Sequence, residues 1–179
     1  MTDPFRLLVT ASRDLTDRAQ FCRAMETIAH HVGFHRLVVV HGACPTGGDL
    51  YAHHWALGAA DVGVLEEPVP ADWDLCAADC PPAGHRRPKR PGDTAHPGRG
   101  DDYCPGAGPR RNSAMVGRGA DLCLAAPLGR SYGTRGCMRL AAAARIPVIE
   151  PQAVLRDGLS ELAATLERRR TAARRTDAA

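Results

Sequence analysis

Residues 107–137, AGPRRNSAMVGRGADLCLAAPLGRSYGTRGC, read as helix, strand, loop and helix in that order. Arg110, Arg111 and Asn112 open a helical segment, residues 122–126 are an unbroken apolar run of strand length, and GRSYGT at 129–134 leads into a second helical pattern. Gly129 and Gly133 let a backbone come close to a ligand, Ser131 and Thr134 offer hydroxyls, and the following helix offers free N–H groups to an anion. A loop of this kind suits a phosphate, although glycines also punctuate ordinary strand-to-helix turns.

The same alternation runs through the rest of the chain. Residues 5–10, FRLLVT, form a β-rich run closed by Ala11, Ser12 and Arg13. Asp14 or Thr16 can then cap a helix with Phe21, Cys22, Met25, Ile28, Ala29 and Val32 at helical spacing and Gly33 as its stop. Residues 36–41, RLVVVH, suit a strand covered on both faces. The loop GACPTGGD (42–49) brings Asp49 to the start of a helix carrying Leu50, Ala52, Trp55, Ala56 and Ala59. Residues 61–69 give a third, less apolar strand, expected nearer an edge. Beyond an interruption, helix 109–116, strand 122–126 and helix 133–145 resume the pattern, and IPVI (146–149) supplies a fifth strand. Pro151 breaks the chain before a last amphipathic helix with Val154, Leu155, Leu159, Leu162 and Leu166. The expectation is an α/β fold, a doubly wound parallel five-stranded sheet with right-handed crossovers.

Composition narrows the function classes. A length of 179 residues allows one domain with a proper core, expected over 1–167. Five arginines and one aspartate of the formal +3 chain fall in 168–179, so residues 1–167 carry 18 basic and 19 acidic groups and the positive charge belongs to a basic, flexible tail. Apolar runs are brief and the start MTDPFRLLVTASRD has no signal-peptide pattern, which points to the cytoplasm and to no membrane partner. Aromatic residues make up only 4% of the chain, which disfavours a nucleic-acid module built on base stacking.

Four of the seven cysteines, Cys22, Cys44, Cys123 and Cys137, sit in or beside apolar segments and read as core. The other three fall in the interruption at 72–107, which has no aliphatic residue of note beyond Leu75 and cannot build a core of its own. Cys76, Cys80, His85 and Cys104 present three thiolates and an imidazole, the donor set of a closed, structural zinc site, with His96 as a competing fourth ligand. Such a clamp ties the excursion at its base and positions Arg110 and Arg111. The cluster Arg86, Arg87, Lys89 and Arg90 reads as a solvated tip.

In a sheet of this kind ligands bind where strand carboxyl ends meet helix amino ends. Four loops converge there: TASRD, HGACPTGGD, AGPRRN and PLGRSYGT. Together with PADWD and GADLCLA these blocks resemble the YspA-like branch of the SLOG superfamily, over nearly all of residues 6–148 outside the insertion. The resemblance implies a Rossmann-like fold and a site for a nucleotide or nucleotide-derived small molecule. It also implies self-association, for which the exposed side of the last helix offers a surface.

RRNSAM and PLGRSYGTRGC are also similar to the signature of LOG nucleotide phosphoribohydrolases, with Arg111 at that group's arginine. Two departures from that signature stand out: Cys137 occupies the glutamate position, and Leu128–Gly129 replaces a double glycine. In the first loop Ala11 stands where the SLOG family commonly has glycine. The leading expectation is therefore ligand binding or sensing. Gly129, Ser131, Gly133 and Thr134 hold a phosphate, Arg111 with Asn112 beside it neutralises it, Ser12 and Arg13 reach in from the first strand, and Gly48 and Asp49 face the sugar. The alternative is an N-glycosidic hydrolase using Arg111 and Asp49, which needs a carboxylate at the scissile bond that Cys137 cannot supply.

Overall fold

Strand β1 (Phe5–Ala11) lies at the middle of the molecule, with Leu7, Leu8, Val9 and Thr10 all buried. In the computed structural model, which describes residues 4–81 and 84–159, it is followed by α1 (Arg18–Val32), β2 (Leu37–His41), α2 (Gly47–Gly58) and β3 (Leu65–Pro68). A small hairpin, β4 (Arg87–Pro88) and β5 (Asp102–Tyr103), comes next. The chain then runs through α3 (Ala107–Gly117), β6 (Leu122–Ala126), α4 (Tyr132–Ala143), β7 (Val148–Ile149) and α5 (Pro151–Asp157).

Five strands form one sheet in the order β3-β2-β1-β6-β7, and every pairing in it is parallel. Because successive side chains of a strand point to opposite faces, β1 serves two cores. Phe5, Leu7 and Val9 pack with Phe21, Met25 and Ile28 of α1, Ala52 and Ala56 of α2 and Val154 of α5. Leu8 faces the other way, with Met115 and Val116 of α3 and Cys137 and Ala141 of α4. The result is a helix–sheet–helix sandwich of the expected Rossmann-like, doubly wound kind. Truncating a side chain such as Leu7, which is fully buried, costs roughly 2–5 kcal/mol in sites of this type.

Local deviations from the expected pattern have physical causes. The third strand starts at Leu65 rather than 61, because a 3-10 turn at Ala60–Val62 and Gly63 at φ 97° come first. It is an edge strand, as its composition suggested, and Leu65 is 62% exposed. The α1 cap is Asp17, whose carboxylate accepts the Gln20 N–H at 2.9 Å, rather than Asp14 or Thr16. Cys123 and Cys137 are buried, whereas Cys22 and Cys44 are only half-buried. Leu162, Leu166 and the basic tail at 168–179 lie outside the described residues. No helix among the described residues is long and apolar enough to cross a membrane.

The sheet order places the site. From β1 the chain winds outward through β2 and β3, then returns to add β6 on the other side of β1. The loops leaving β1 and β6 therefore diverge, and a crevice opens above their carboxyl ends.

Candidate functional site

A cleft of about 710 Å³ occupies that crevice. Thr10, Ser12 and Arg13 line it from β1 and the loop after it, Asp49 from α2, Arg111 and Asn112 from α3, and residues 128–134 from the loop between β6 and α4. Ser12 N–H donates to the Ala126 carbonyl at 2.9 Å and holds the two loop bases together. Gly48 does not line the cleft: a Cβ there would overlap the methyl of Ala11. The alanine in the first loop is thus matched by a glycine opposite it.

The loop before α4 is shaped as an anion seat. Ser131 is the N-cap residue, but its hydroxyl accepts from Leu128 N–H at 3.2 Å, so the first turn of α4 has no side-chain cap. Those N–H groups border the cleft at Gly133 and Thr134. Gly129 takes φ 53°, and its carbonyl, turned away, accepts from Arg135 at 3.1 Å. Asn112 donates to the Gly133 carbonyl at 3.1 Å and locks the loop to α3.

Arg111 is drawn inward rather than left free. Its guanidinium donates to the Gly42 carbonyl and lies 3.4 Å from the Asp49 carboxylate, with both side chains largely buried. A Cβ on Gly42 would overlap the guanidinium where it lies, so the arginine would have to move. Among the described residues the buried Arg111 Nε has no hydrogen-bond partner. Burial pushes the Asp49 carboxyl above its ordinary 3.8, against the pull of Arg111 and of the Cys44 N–H, which donates to it at 3.2 Å. At the position of the phosphoribohydrolase glutamate, Cys137 is fully buried, and burial holds its thiol up although the Thr10 hydroxyl touches it.

Cys76, Cys80, His85 and Cys104 come together, with their ligand atoms all within 4.8 Å of one another. Cys80 and Cys104 Sγ are 3.6 Å apart, too far for a disulfide and close to the edge of about 3.8 Å that Zn–S bonds of 2.3 Å give a tetrahedron. Cys76 Sγ is 3.1 Å from His85 Nε2. Arg86 donates to Cys76 at 3.4 Å and Arg110 to Cys80 at 3.4 Å, so a guanidinium stands beside each of these sulfurs. Burial raises the Cys104 thiol, but the contacts of Arg110 and Cys80 outweigh it and bring it to about 6. Three sulfurs and an imidazole grouped in this way are the donor set of a metal site.

His96 is not part of that group. Its ring stacks on Tyr103 at 3.8 Å, meets Trp73 edge-on at 4.6 Å, bonds Asp93 at 2.8 Å and reaches Arg13 at 3.3 Å. Trp73, Arg87, His96 and Tyr103 all line the cleft, so the insertion forms one of its walls. The basic cluster is likewise no plain solvated tip: Arg86 is tied to Asp102 at 2.7 Å and to Cys76, and Lys89 donates to the Gly98 carbonyl. The sequence holds one partial signal for this wall, because the few aromatic residues of the insertion sit at its two ends, where it meets the fold.

A second compact cluster, His41, His53 and Glu66, has a simpler account. Ala43 N–H donates to His41 Nδ1 at 3.1 Å, which leaves the ring proton on Nε2, 2.6 Å from Glu66. His53 Nδ1 reaches the same oxygen at 2.7 Å. Both imidazoles thus have hydrogen-bonding roles, and the triad braces Ala43, which takes φ 51°, in the loop that receives Arg111.

Residues 5–75 match the model of the YspA, cpYpsA-related SLOG family. The Gene 61 protein of Mycobacterium phage D29 is 39% identical over 146 residues, covering 80% of this chain and 94% of that protein. Among solved structures, the Moco carrier protein from Chlamydomonas reinhardtii is similar at 18% identity and a TM-score of 0.47, over 83% of this chain and 76% of that one.

Proposed function

The chain belongs to the YspA, cpYpsA-related SLOG family, and from that premise we propose that it binds or senses a nucleotide or nucleotide-derived ligand in the cleft between β1 and β6, beside a structural zinc ion. One observation carries the reading: the uncapped first turn of α4 opens into the same cleft as Arg111, Asn112 and the loop after β1. The phosphate sits on the N–H groups at Gly133 and Thr134, with the Ser131 loop around it. The Arg111–Asp49 pair supplies a guanidinium on one side and a carboxylate that can accept a ribose hydroxyl on the other. Ser12 lies beneath the sugar.

Zinc is the ion that best suits Cys76, Cys80, His85 and Cys104. Three thiolates and one imidazole fill a tetrahedral shell, so the metal's role is to hold the insertion and not to bind substrate. Residues 1–167 act as one domain carrying this clamp at 72–107.

The second reading, hydrolysis of a nucleotide's N-glycosidic bond, draws on the raised Asp49 carboxyl. Against it, Asp49 is engaged by Cys44 and Arg111 and the glutamate position holds a buried cysteine. Calorimetric titration of metal-loaded protein with mononucleotides, nucleoside diphosphates and dinucleotides tests the first reading. Saturable 1:1 binding of at least one class without release of free base is expected, and no binding across the panel refutes it.

A further inference from the structure

The hydrogen bonds that join the insertion to the fold have a direction that their role in packing does not require. An arginine can only donate, so the 3.3 Å contact between Arg13 and His96 makes His96 Nε2 the acceptor and places the ring proton on Nδ1. That proton faces Asp93 at 2.8 Å. Asp93 is itself held, since its other carboxylate oxygen accepts the N–H groups of Ala95 and His96 at 2.9 and 3.2 Å. Stacking on Tyr103 at 3.8 Å and 7° fixes the plane of the imidazole. Beneath the guanidinium lies Trp73, 5.6 Å from its carbon to the ring centre.

Everything around Arg13 therefore orients its charge; it feels the field of Asp49, but that carboxylate lies in contact with Arg111. Among the described residues it forms no ion pair with a carboxylate; its partner is a neutral-tautomer imidazole. This contrasts with Arg111, which faces Asp49, and with Arg6 and Arg118, which share Glu67. Arg13 and His96 both line the cleft that ends at the α4 first turn. A half-buried guanidinium held by a neutral acceptor at a cleft wall has its remaining donors available to an anion.

We propose that Arg13 is a second anion-binding station of the cleft, aimed by His96 and Asp93 of the insertion, and that the ligand accordingly carries two anionic groups, such as two linked phosphates. His96 and Asp93 are positioning residues that act through Arg13. This rests on the cleft being the ligand site, and adds which part of the ligand its insertion wall reads.

Inorganic phosphate and pyrophosphate test the proposal without any base. Binding is followed by NMR shifts of the Gly133 and Thr134 amides in metal-loaded protein. Pyrophosphate is expected to bind about tenfold more tightly than phosphate, the scale of one charge-assisted hydrogen bond. Arg13→Gln is expected to remove that excess, so that pyrophosphate binds no more tightly than phosphate. His96→Phe keeps the stack on Tyr103 but loses the acceptor, and it reduces the excess without abolishing phosphate binding. Trp73 emission, read in a Trp55→Phe background, reports whether the wall is intact in each variant.

An unchanged pyrophosphate preference in Arg13→Gln overturns the proposal. So does equal loss of both anions in His96→Phe with Trp73 emission unaltered, and so does failure of either anion to shift the α4 amides. If nucleotides bind while pyrophosphate shows no Arg13-dependent excess, only this inference fails. If the excess is present and no nucleotide binds, the two-anion station stands and the nucleotide reading falls.

Discussion

Gly42 is the residue on which the site's polarity turns. Its missing side chain is what lets the Arg111 guanidinium reach the Gly42 carbonyl and Asp49. Gly42→Ala would displace the flexible end of Arg111 and weaken its contact with the buried Asp49 carboxylate, at a cost up to the roughly 3–5 kcal/mol of a broken buried pair. The expected outcome is a fall in the denaturant midpoint together with loss of nucleotide binding in the same variant. An alanine protein with unchanged midpoint and affinity would mean that the Arg111–Asp49 contact is incidental. Gly47 has a different duty: at φ 65° it lets α2 start hard against the Ser12 carbonyl. Arg111 and Asp49 fall on the same sheet edge by their place in the sequence, which does not pair them. Their bond spans 62 positions and depends on a glycine whose role shows only in the folded chain.

At the scale of elements, the strands differ in how legible they were. The cores of β2 and β6 are unbroken apolar runs buried on both faces, and such runs name themselves. β3 announced its edge position through Glu66 and Glu67 but not its start, because a 3-10 turn and a left-handed glycine borrow the apolar Val62 and Val64. The insertion was the hardest segment. Its metal donors were readable from residue type and spacing, and His85 rather than His96 completes them. Its second role was hidden, since Arg13 and His96 lie 83 positions apart and the wall they form is not periodic in any way a sequence displays. This segment carries little apolar surface besides Trp73, which makes it the part of the fold most dependent on the proposed metal clamp. Chelation, or Cys80→Ser, should red-shift Trp73 emission in the Trp55→Phe background while far-ultraviolet circular dichroism keeps its α/β signature. Unchanged Trp73 emission after verified metal loss would show that the wall stands without the ion.

Across the whole molecule, one topological fact organises the rest. The return of the chain from β3 to the far side of β1 opens the crevice, and the excursion that makes that return is the segment carrying the metal group. The two halves of the cleft therefore have different origins. The α4 seat and the Arg111–Asp49 pair come from the parallel fold, while Trp73, His96 and Tyr103 come from the insertion. Loss of metal should accordingly weaken ligand binding without melting the sheet. The measurement that bears most directly on the account is a crystal structure of the metal-loaded protein grown with a nucleoside diphosphate. Phosphate density is expected on the N–H groups of Gly133 and Thr134, with the remainder of the ligand running toward Arg13. A nucleotide bound elsewhere on the surface, with the α4 turn bare at saturating concentration, would contradict it.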